Sequence, residues 1–402
     1  MTAWRPRVGA GRPLYLAIAE ALARDVAEGR LATGTRLPTQ RDLAETLGVT
    51  VGTVTRGYAE AARRGLVSCE VGRGSFVRGP APEPAARAGE LIELGVNHPP
   101  PASPTLCAAL QAGLAELARS PSAGRLLDYP PDGGAEAHRA AGARWVQRFG
   151  LPAGPEQVLV TSGSQHALTT VFTAFLRPGD LVLTEALTYP GMKALAALLG
   201  LRLAPLAMDE HGLRPQALED ACRGGQARAL YTVPSLHNPT ATVQPEGRRR
   251  EIAALARRHG LLVVEDDVHG PLLEPTPRPL GLFAPELSIY LAGMAKILAP
   301  GLRIGFLVAP AGRLPRLQAS IRATTWMAAP LTAELTARWI LDGTAAAALQ
   351  EQRAEAEARQ ALARRLLGVR GSGAHPRAHH LWLHLPAPWR SDSFWATPKR
   401  CS

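Results

Sequence analysis

Residues 290–308 read YLAGMAKILAPGLRIGFLV. Two apolar, β-forming runs, Ser288–Leu291 and Ile304–Val308, flank a segment that carries Lys296 and, seven positions on, Arg303. Short runs of this kind, bounded by Gly and Pro, read as buried strands. Of 45 Lys and Arg residues only Lys193, Lys296 and Lys399 are lysine. Codon bias in a GC-rich genome accounts for that imbalance, yet it leaves any lysine-dependent chemistry just three candidates. Lys296, set between two strands, reads as functional; a surface lysine is the plain alternative.

Working outward, further apolar runs fall at Gln157–Thr161, Leu181–Thr184, Arg228–Val233 and Leu261–Glu265. Helical patterns at 164–176, 191–200 and 246–259 separate them. Alternation of this sort predicts an α/β fold with a mostly parallel sheet covered on both faces. Ligands bind such sheets at the carboxyl ends of strands. The informative residues lie there. TSGSQHAL (161–168) opens a helix with Gly163 and Ser164, whose free N–H groups suit a phosphate, although many βα turns look alike. LTYPG (187–191) places Tyr189 after the next strand, where a core or turn role is the plain reading. SLHNPTA (235–241) sets Asn238 before a proline in another strand-end loop. VVEDDVHG (263–270) ends a hydrophobic strand in Glu265, Asp266 and Asp267, either a site or a solvated loop.

The first eighty residues differ in character. Leu14, Ile18, Leu22 and Val26 recur every fourth position and predict an amphipathic helix over 14–29. Thr39 caps a short second helix, with Asp42 as its capping-box partner, and Gly48 makes the turn. A third helix starts at Thr50 and stops at Gly65. Two short helices around a glycine turn make a helix-turn-helix. The second begins with Thr50, Gly52, Thr53, Thr55 and Arg56, small polar residues suited to a major groove. LVSCEVGRGSFV (66–77) then reads as two strands around Gly72, Arg73 and Gly74, a wing whose Arg reaches a phosphate or a minor groove.

Hydrophobic content of 46% and charged content of 20% describe an ordinary globular chain of two or three domains. The formal charge of +11 permits nucleic-acid binding, and residues 1–78 carry twelve Arg against seven acids. Pro80–Gly89 is rich in Pro and Ala and reads as a linker, giving domains at 1–79 and 97–402 joined by 80–96. The apolar run Leu195–Met208 is broken by Arg202, so no membrane span is expected. No signal-like segment is seen and the expected location is the cytoplasm. Four scattered cysteines offer no metal-ligand spacing, so no metal is expected.

Two resemblances become specific on these motifs. LPTQRDLAETLGV (37–49), TVTRGYAEAARRGL (53–66) and GRGSFV (72–77) resemble the GntR-type winged helix-turn-helix. That resemblance implies that Arg36, Arg41, Arg56 and Gly72–Gly74 face double-stranded operator DNA, with Thr50, Thr53 and Thr55 on the recognition helix. A winged helix used only for protein contacts is the alternative. Ala61 stands where the family often has a core leucine. Over 97–390 the order and spacing of motifs resemble fold-type I, class I/II aminotransferases, and the two together resemble the MocR/GabR regulators. The resemblance implies pyridoxal 5′-phosphate (PLP) as cofactor, with Lys296 as the Schiff-base lysine and sole catalytic residue. It implies Asp266 on the pyridinium nitrogen, Asn238 on the phenolic oxygen and Tyr189 stacked on the ring. Gly163, Ser164 and Arg303 would hold the phosphate. A homodimer and an amine or amino-acid effector are also implied.

Three departures bear on function. Gly293 and Ala295 stand where relatives carry phosphate-binding serines, so weaker PLP binding is expected. His269 replaces a tyrosine that donates to the phenolic oxygen, and an imidazole can donate too. HHLWLH (379–384) looks like the start of a small-domain sheet, with a strand at His380–Leu385, yet the segment expected to carry a carboxylate-binding arginine does not follow. The small domain is therefore expected to be truncated and transamination weak. The leading expectation is a DNA-binding regulator that senses PLP or an effector; the alternative is a working aminotransferase with an added DNA-binding domain.

Overall fold

The structure, a computed structural model, describes residues 4–6, 13–32, 34–64, 66–70, 74–77, 97–367, 375–385 and 387–388. The chain divides into two compact units, residues 1–95 and 96–402. The expected linker, Gly72 and Arg73 lie outside the described residues.

In the first unit α1 (Leu14–Ala27), α2 (Gln40–Leu47) and α3 (Val51–Arg63) precede the antiparallel pair β1 (Val67–Glu70) and β2 (Gly74–Val77). Ile18 and Leu22 are fully buried, whereas Leu14, on the same predicted stripe, stays 45% exposed. Leu43, Val54, Tyr58 and Ala61 complete the small core. α1 and α3 cross at Gly57, where a Cβ would come within 3.0 Å of Ile18 Cγ2 and 3.2 Å of the Tyr15 carbonyl oxygen. Close approach thus outweighs the ~1 kcal/mol that glycine costs inside a helix. Thr39 caps α2 by accepting from Asp42 N at 3.2 Å; the reciprocal Asp42 bond of a capping box is not made. Gly48 turns the chain with φ 64°, and Thr50 caps α3.

The second unit opens with α4 (Pro104–Arg119) and α5 (Glu136–Gln147). A β/α series follows: β3 (Val158–Thr161), α6 (Ser164–Phe175), β4 (Leu181–Glu185), α7 (Pro190–Leu198) and β5 (Arg202–Leu206). After the small hairpin β6 (Met208–Asp209) and β7 (Gly212–Leu213) come α8 (Pro215–Cys222), β8 (Ala227–Thr232), α9 (Glu246–His259) and β9 (Leu262–Asp266). β10 (Ser288–Gly293), β11 (Gly305–Val308), α10 (Leu314–Thr324), α11 (Pro330–Asp342) and α12 (Thr344–Leu367) complete it. Seven strands form one sheet in the order β3-β11-β10-β9-β8-β4-β5. Only β11 runs antiparallel to its neighbours. Separate apolar clusters cover the sheet; one includes α6 and α7 residues such as Leu168 and Met192, another α8 and α9 residues such as Leu218 and Ile252.

All six strands expected for the sheet are present to within a residue or two. β5 was not expected, because its sequence RLAPL is half exposed and carries a proline, which an edge strand tolerates. Of the strand expected at His380–Leu385, only one β-bridge residue, Trp382, is formed among the described residues. Gln360 Nε2 donates to the carbonyls of Ala378 and His380 at 2.8 and 2.9 Å, and His380 is tied by its ring to residues of the large domain. The three acids at 265–267 are not a solvated loop: each is at most 4% exposed.

Their burial rests on Arg249, itself fully buried in α9. Its guanidinium donates to the carbonyls of Gln244, Pro234 and Arg278 and to Ser235 Oγ, and lies 3.8 Å from Glu265. One side chain therefore fixes the loop after β8 and balances the acids. Breaking a buried charge pair from one side costs about 3–5 kcal/mol. Arg249→Met is expected to lower the unfolding free energy of the α/β unit by that order, read by urea denaturation; a midpoint equal to the wild type would contradict this role.

Candidate functional site

Strand register brings the candidate residues to one edge. Gly305 pairs with Thr161 and Gly293, and Leu291 pairs with Asp266, so the carboxyl ends of β3, β10 and β9 lie side by side. β8 and β4 extend that edge with Thr232 and Glu185. Gly163 (φ 85°) begins α6, and a Cβ there would stand 2.8 Å from Arg303 Nη2. The Arg303 guanidinium therefore lies directly over the α6 N-terminus, 3.4 Å from the Ser162 carbonyl oxygen. Free N–H groups and an adjacent arginine make an anion site. At Gly293 a Cβ would collide with Ser164 Oγ and Val268. The hydroxyl of Ser164 thus occupies the space that a side chain at 293 would need.

Alternation along β9 separates the acids. Glu265 faces α9 and accepts from Leu280 N and Gly281 N at 2.9 and 2.8 Å. Asp267 accepts from Tyr290 Oη at 2.6 Å. Asp266 faces the opposite way and accepts from Tyr231 Oη at 2.8 Å. Its second oxygen, Oδ1, is buried without a protein partner. Burial first, and the neighbouring acids after it, push Asp266 up to about 6, against the Tyr231 hydrogen bond. A buried carboxylate oxygen left open calls for a cationic N–H. Tyr189 caps α7 and is half-buried, with burial and then the Asp266 charge raising its phenol and Arg303 opposing. Its phenol therefore lies within electrostatic reach of both Asp266 and Arg303.

Lys296 follows β10 and is half-buried; its Nζ donates to the Asn97 carbonyl. Burial lowers its pKa, which enlarges the neutral, nucleophilic fraction. Asn238 lies in the loop held by Arg249, between Leu236 and Ala241, both at positive φ. His269 is 2% exposed, with Nδ1 unpartnered, and burial keeps it neutral. Among the described residues no cluster of His, Cys, Asp and Glu is arranged to hold a metal. The arrangement can hold a phosphorylated heteroaromatic ring whose nitrogen is protonated, beside a lysine amine.

Several residues of this edge were missed in the sequence. Tyr231 sits in an apolar strand, and a buried tyrosine hydroxyl always asks for a partner, but its partner is set by sheet register. Glu185 ends β4 fully buried, accepting from Thr232 Oγ1 at 2.5 Å and Val233 N at 3.1 Å. Asn97 and His380 are 283 positions apart and share a 2.9 Å hydrogen bond. No local pattern signals that.

On the first unit Arg36, Arg41 and Arg56 are exposed, as are Thr50 and Thr55. Thr50 Oγ1 is taken by the cap to Thr53 N and lies 2.9 Å from Thr53 Oγ1. Thr55 Oγ1 donates to Gln40 Oε1 at 2.8 Å, joining the starts of α2 and α3. Arg56 stacks on Tyr15, 5.4 Å from the ring centre. Arg36 lies against Gly74 (φ 114°), its Nε 3.1 Å from where a Cβ would be.

Burial pushes Glu185 up to about 7 from 4.5. An acid with a raised folded pKa binds its proton more tightly than in the unfolded chain, so stability falls as pH rises through that window. Glu185→Gln cannot ionise and keeps an acceptor for Thr232 and Val233. Relative to the wild type it is expected to gain on the order of 2–3 kcal/mol between about pH 5 and pH 8, at about 1.4 per unit. Urea unfolding at both pH values measures the gain; an equal difference at the two would contradict the assignment.

Residues 89–374 match aminotransferase class I and II, and residues 14–77 match the bacterial regulatory proteins of the gntR family. The chain is 30% identical over 398 residues to the uncharacterized HTH-type transcriptional regulator YdeF of Bacillus subtilis (strain 168), covering 97% of this chain and 85% of that protein. It is 37% identical over 199 residues to the 2-aminoadipate transaminase of Thermus thermophilus, 48% of each chain. Among solved structures, the alpha-aminoadipate aminotransferase LysN from Thermus thermophilus superposes with TM-score 0.59 at 30% identity, covering 68% of this chain and 70% of that one. The Pyrococcus horikoshii kynurenine aminotransferase gives TM-score 0.69 at 24% identity, over 77% and 79%, and shows the fold alone.

Proposed function

The chain belongs to the aminotransferase class I and II family, joined to a gntR-type domain in the MocR-like architecture, and from that premise we propose that it is a transcription regulator that binds operator DNA through the winged helix and PLP through the α/β unit. The observation that carries the PLP reading is the open, buried Oδ1 of Asp266 on the same sheet edge as Lys296, Gly163 and Arg303. The residues fit the group: the carboxylate suits a pyridinium N–H, and the α6 N-terminus with Arg303 suits a phosphate.

When bound, PLP supplies an aldehyde that captures amines and an electron sink. This chain's residues do the rest. Asp266 holds a proton on the ring nitrogen, and Tyr231 orients that carboxylate. Gly163, Ser164 and Arg303 bind the phosphate. Tyr189 covers the ring, and Asn238 and His269 donate to its phenolic oxygen. Lys296 provides the amine that links the cofactor and moves protons beside it. Retention of this set favours sensing of an amine or amino acid through the cofactor.

Leu110, Leu114, Leu127, Tyr129, Trp326 and Leu331 are 39–89% exposed on neighbouring elements of the second unit. An apolar surface of this kind supports a homodimer, which would present two recognition helices to paired half-sites. No helix among the described residues is long and apolar enough to cross a membrane, and a DNA-binding regulator works in the cytoplasm.

Two measurements test the reading. Borohydride reduction of the PLP-loaded chain, followed by peptide mapping, is expected to find the cofactor on Lys296; label on Lys193 or Lys399 would refute the site. For DNA, Arg56→Ala is expected to weaken operator binding by about tenfold or more and relax base preference, since a base contact is worth ~1–3 kcal/mol. Arg73→Ala is expected to weaken binding evenly across sequences and reduce the salt slope by about one. Tyr15→Leu controls for lost stacking. Wild-type operator affinity in both arginine variants would overturn the placement.

A further inference from the structure

The segment after α12 brings His379 and His380 to the carboxyl edge of the sheet. Ring centres of His269 and His380 lie 5.5 Å apart, and those of His269 and His379 lie 6.4 Å apart. His380 is fully engaged. Its Nε2 faces the His237 carbonyl oxygen at 2.9 Å, so that nitrogen carries the hydrogen. Its Nδ1 then accepts from Asn97 Nδ2 at 2.9 Å. His380 is thereby wired as a neutral imidazole. His379 is the opposite: both ring nitrogens are buried and neither has a protein partner.

The charges around His379 share one sign. Lys296 and Arg359 are the cations that act on it, and the neighbouring rings of His380 and His269 are held neutral by burial. His269 in turn feels His379, His380, Lys296 and His237. No carboxylate figures among these groups. Unpartnered nitrogens in a cationic surrounding lack an anion with acceptor oxygens.

We propose that His379 binds the carboxylate of an amino-acid ligand beside Lys296 and takes up one proton as it does so. The proposal rests on the reading that Lys296 carries PLP, which places the ligand's amine at the lysine and its carboxylate toward the imidazoles. His379 is free to protonate because no internal hydrogen bond fixes its tautomer, and His380 cannot without breaking one. Linkage then makes the carboxylate's contribution to affinity pH-dependent: it is full below the pKa of the ligand-free imidazole, which burial lowers to about 4, and is lost progressively as pH rises from there to the bound pKa.

The test compares L-alanine with ethylamine, its counterpart without the carboxylate, on the PLP-loaded full chain at pH 6, 7 and 8. Binding is read from cofactor absorbance. Both amines lose their protons alike over this range, so the affinity ratio isolates the carboxylate. The wild type is expected to prefer L-alanine at pH 6, with a preference that declines by up to about tenfold per pH unit. His379→Asn is expected to keep the wild-type affinity for ethylamine and lose the pH dependence of the ratio. A ratio independent of pH in the wild type, or one that titrates unchanged in His379→Asn, overturns the proposal. Failure of the cofactor reading shows separately, as no absorbance difference between wild type and Lys296→Ala. In that event the melting temperature of the chain in sodium propionate decides. Stabilisation at pH 6 that is absent at pH 8 and absent in His379→Asn supports the carboxylate site, and no stabilisation overturns it.

Discussion

Three successive carboxylates are held in the interior at the end of β9, and the site depends on how that is made tolerable. The strand's alternation sends Glu265 and Asp267 to one side, where backbone N–H groups, Tyr290 and the buried Arg249 receive them. Asp266 is sent to the other side, where Tyr231 is its side-chain donor. An ion in that position costs several kcal/mol unless it is paired. Its raised pKa records the cost, and its open oxygen marks where a cation relieves it. Arg249 also fixes the loop that carries Asn238, so one buried guanidinium supports both the strand end and the loop beside it.

The fold was legible because its signals are local. Apolar runs bounded by Gly and Pro gave six of the seven sheet strands, and the helix-turn-helix followed from Thr39, Gly48 and Thr50. β5 escaped because an edge strand needs little apolar character. The candidate residues Gly163, Tyr189, Asp266, Lys296 and Arg303 drew attention because each lies near a strand end or helix start, and their roles came from the resemblance to fold-type I aminotransferases. Tyr231, Glu185 and Arg249 drew none. Their importance comes from facing and register, which three-dimensional pairing decides. His379 and His380 read as strand residues, and the bonds from Gln360, Asn97 and the His237 carbonyl that hold them at the edge span up to 283 positions.

The departures from the family pattern also look different in three dimensions. Gly293 lacks a hydroxyl, and Ser164 Oγ and Val268 occupy the space its side chain would need. His269 is buried among other imidazoles rather than placed alone against a ring. The imidazoles near Lys296 are held neutral by burial.

The most direct check of the account is the protonation state of the cofactor's ring nitrogen, read from the nitrogen-15 chemical shift of ring-labelled PLP bound to the full chain. With Asp266 in its buried place the account predicts a protonated nitrogen near neutral pH, and loss of that proton in Asp266→Asn. An unprotonated nitrogen in the wild-type chain, or one that stays protonated in Asp266→Asn, would contradict it.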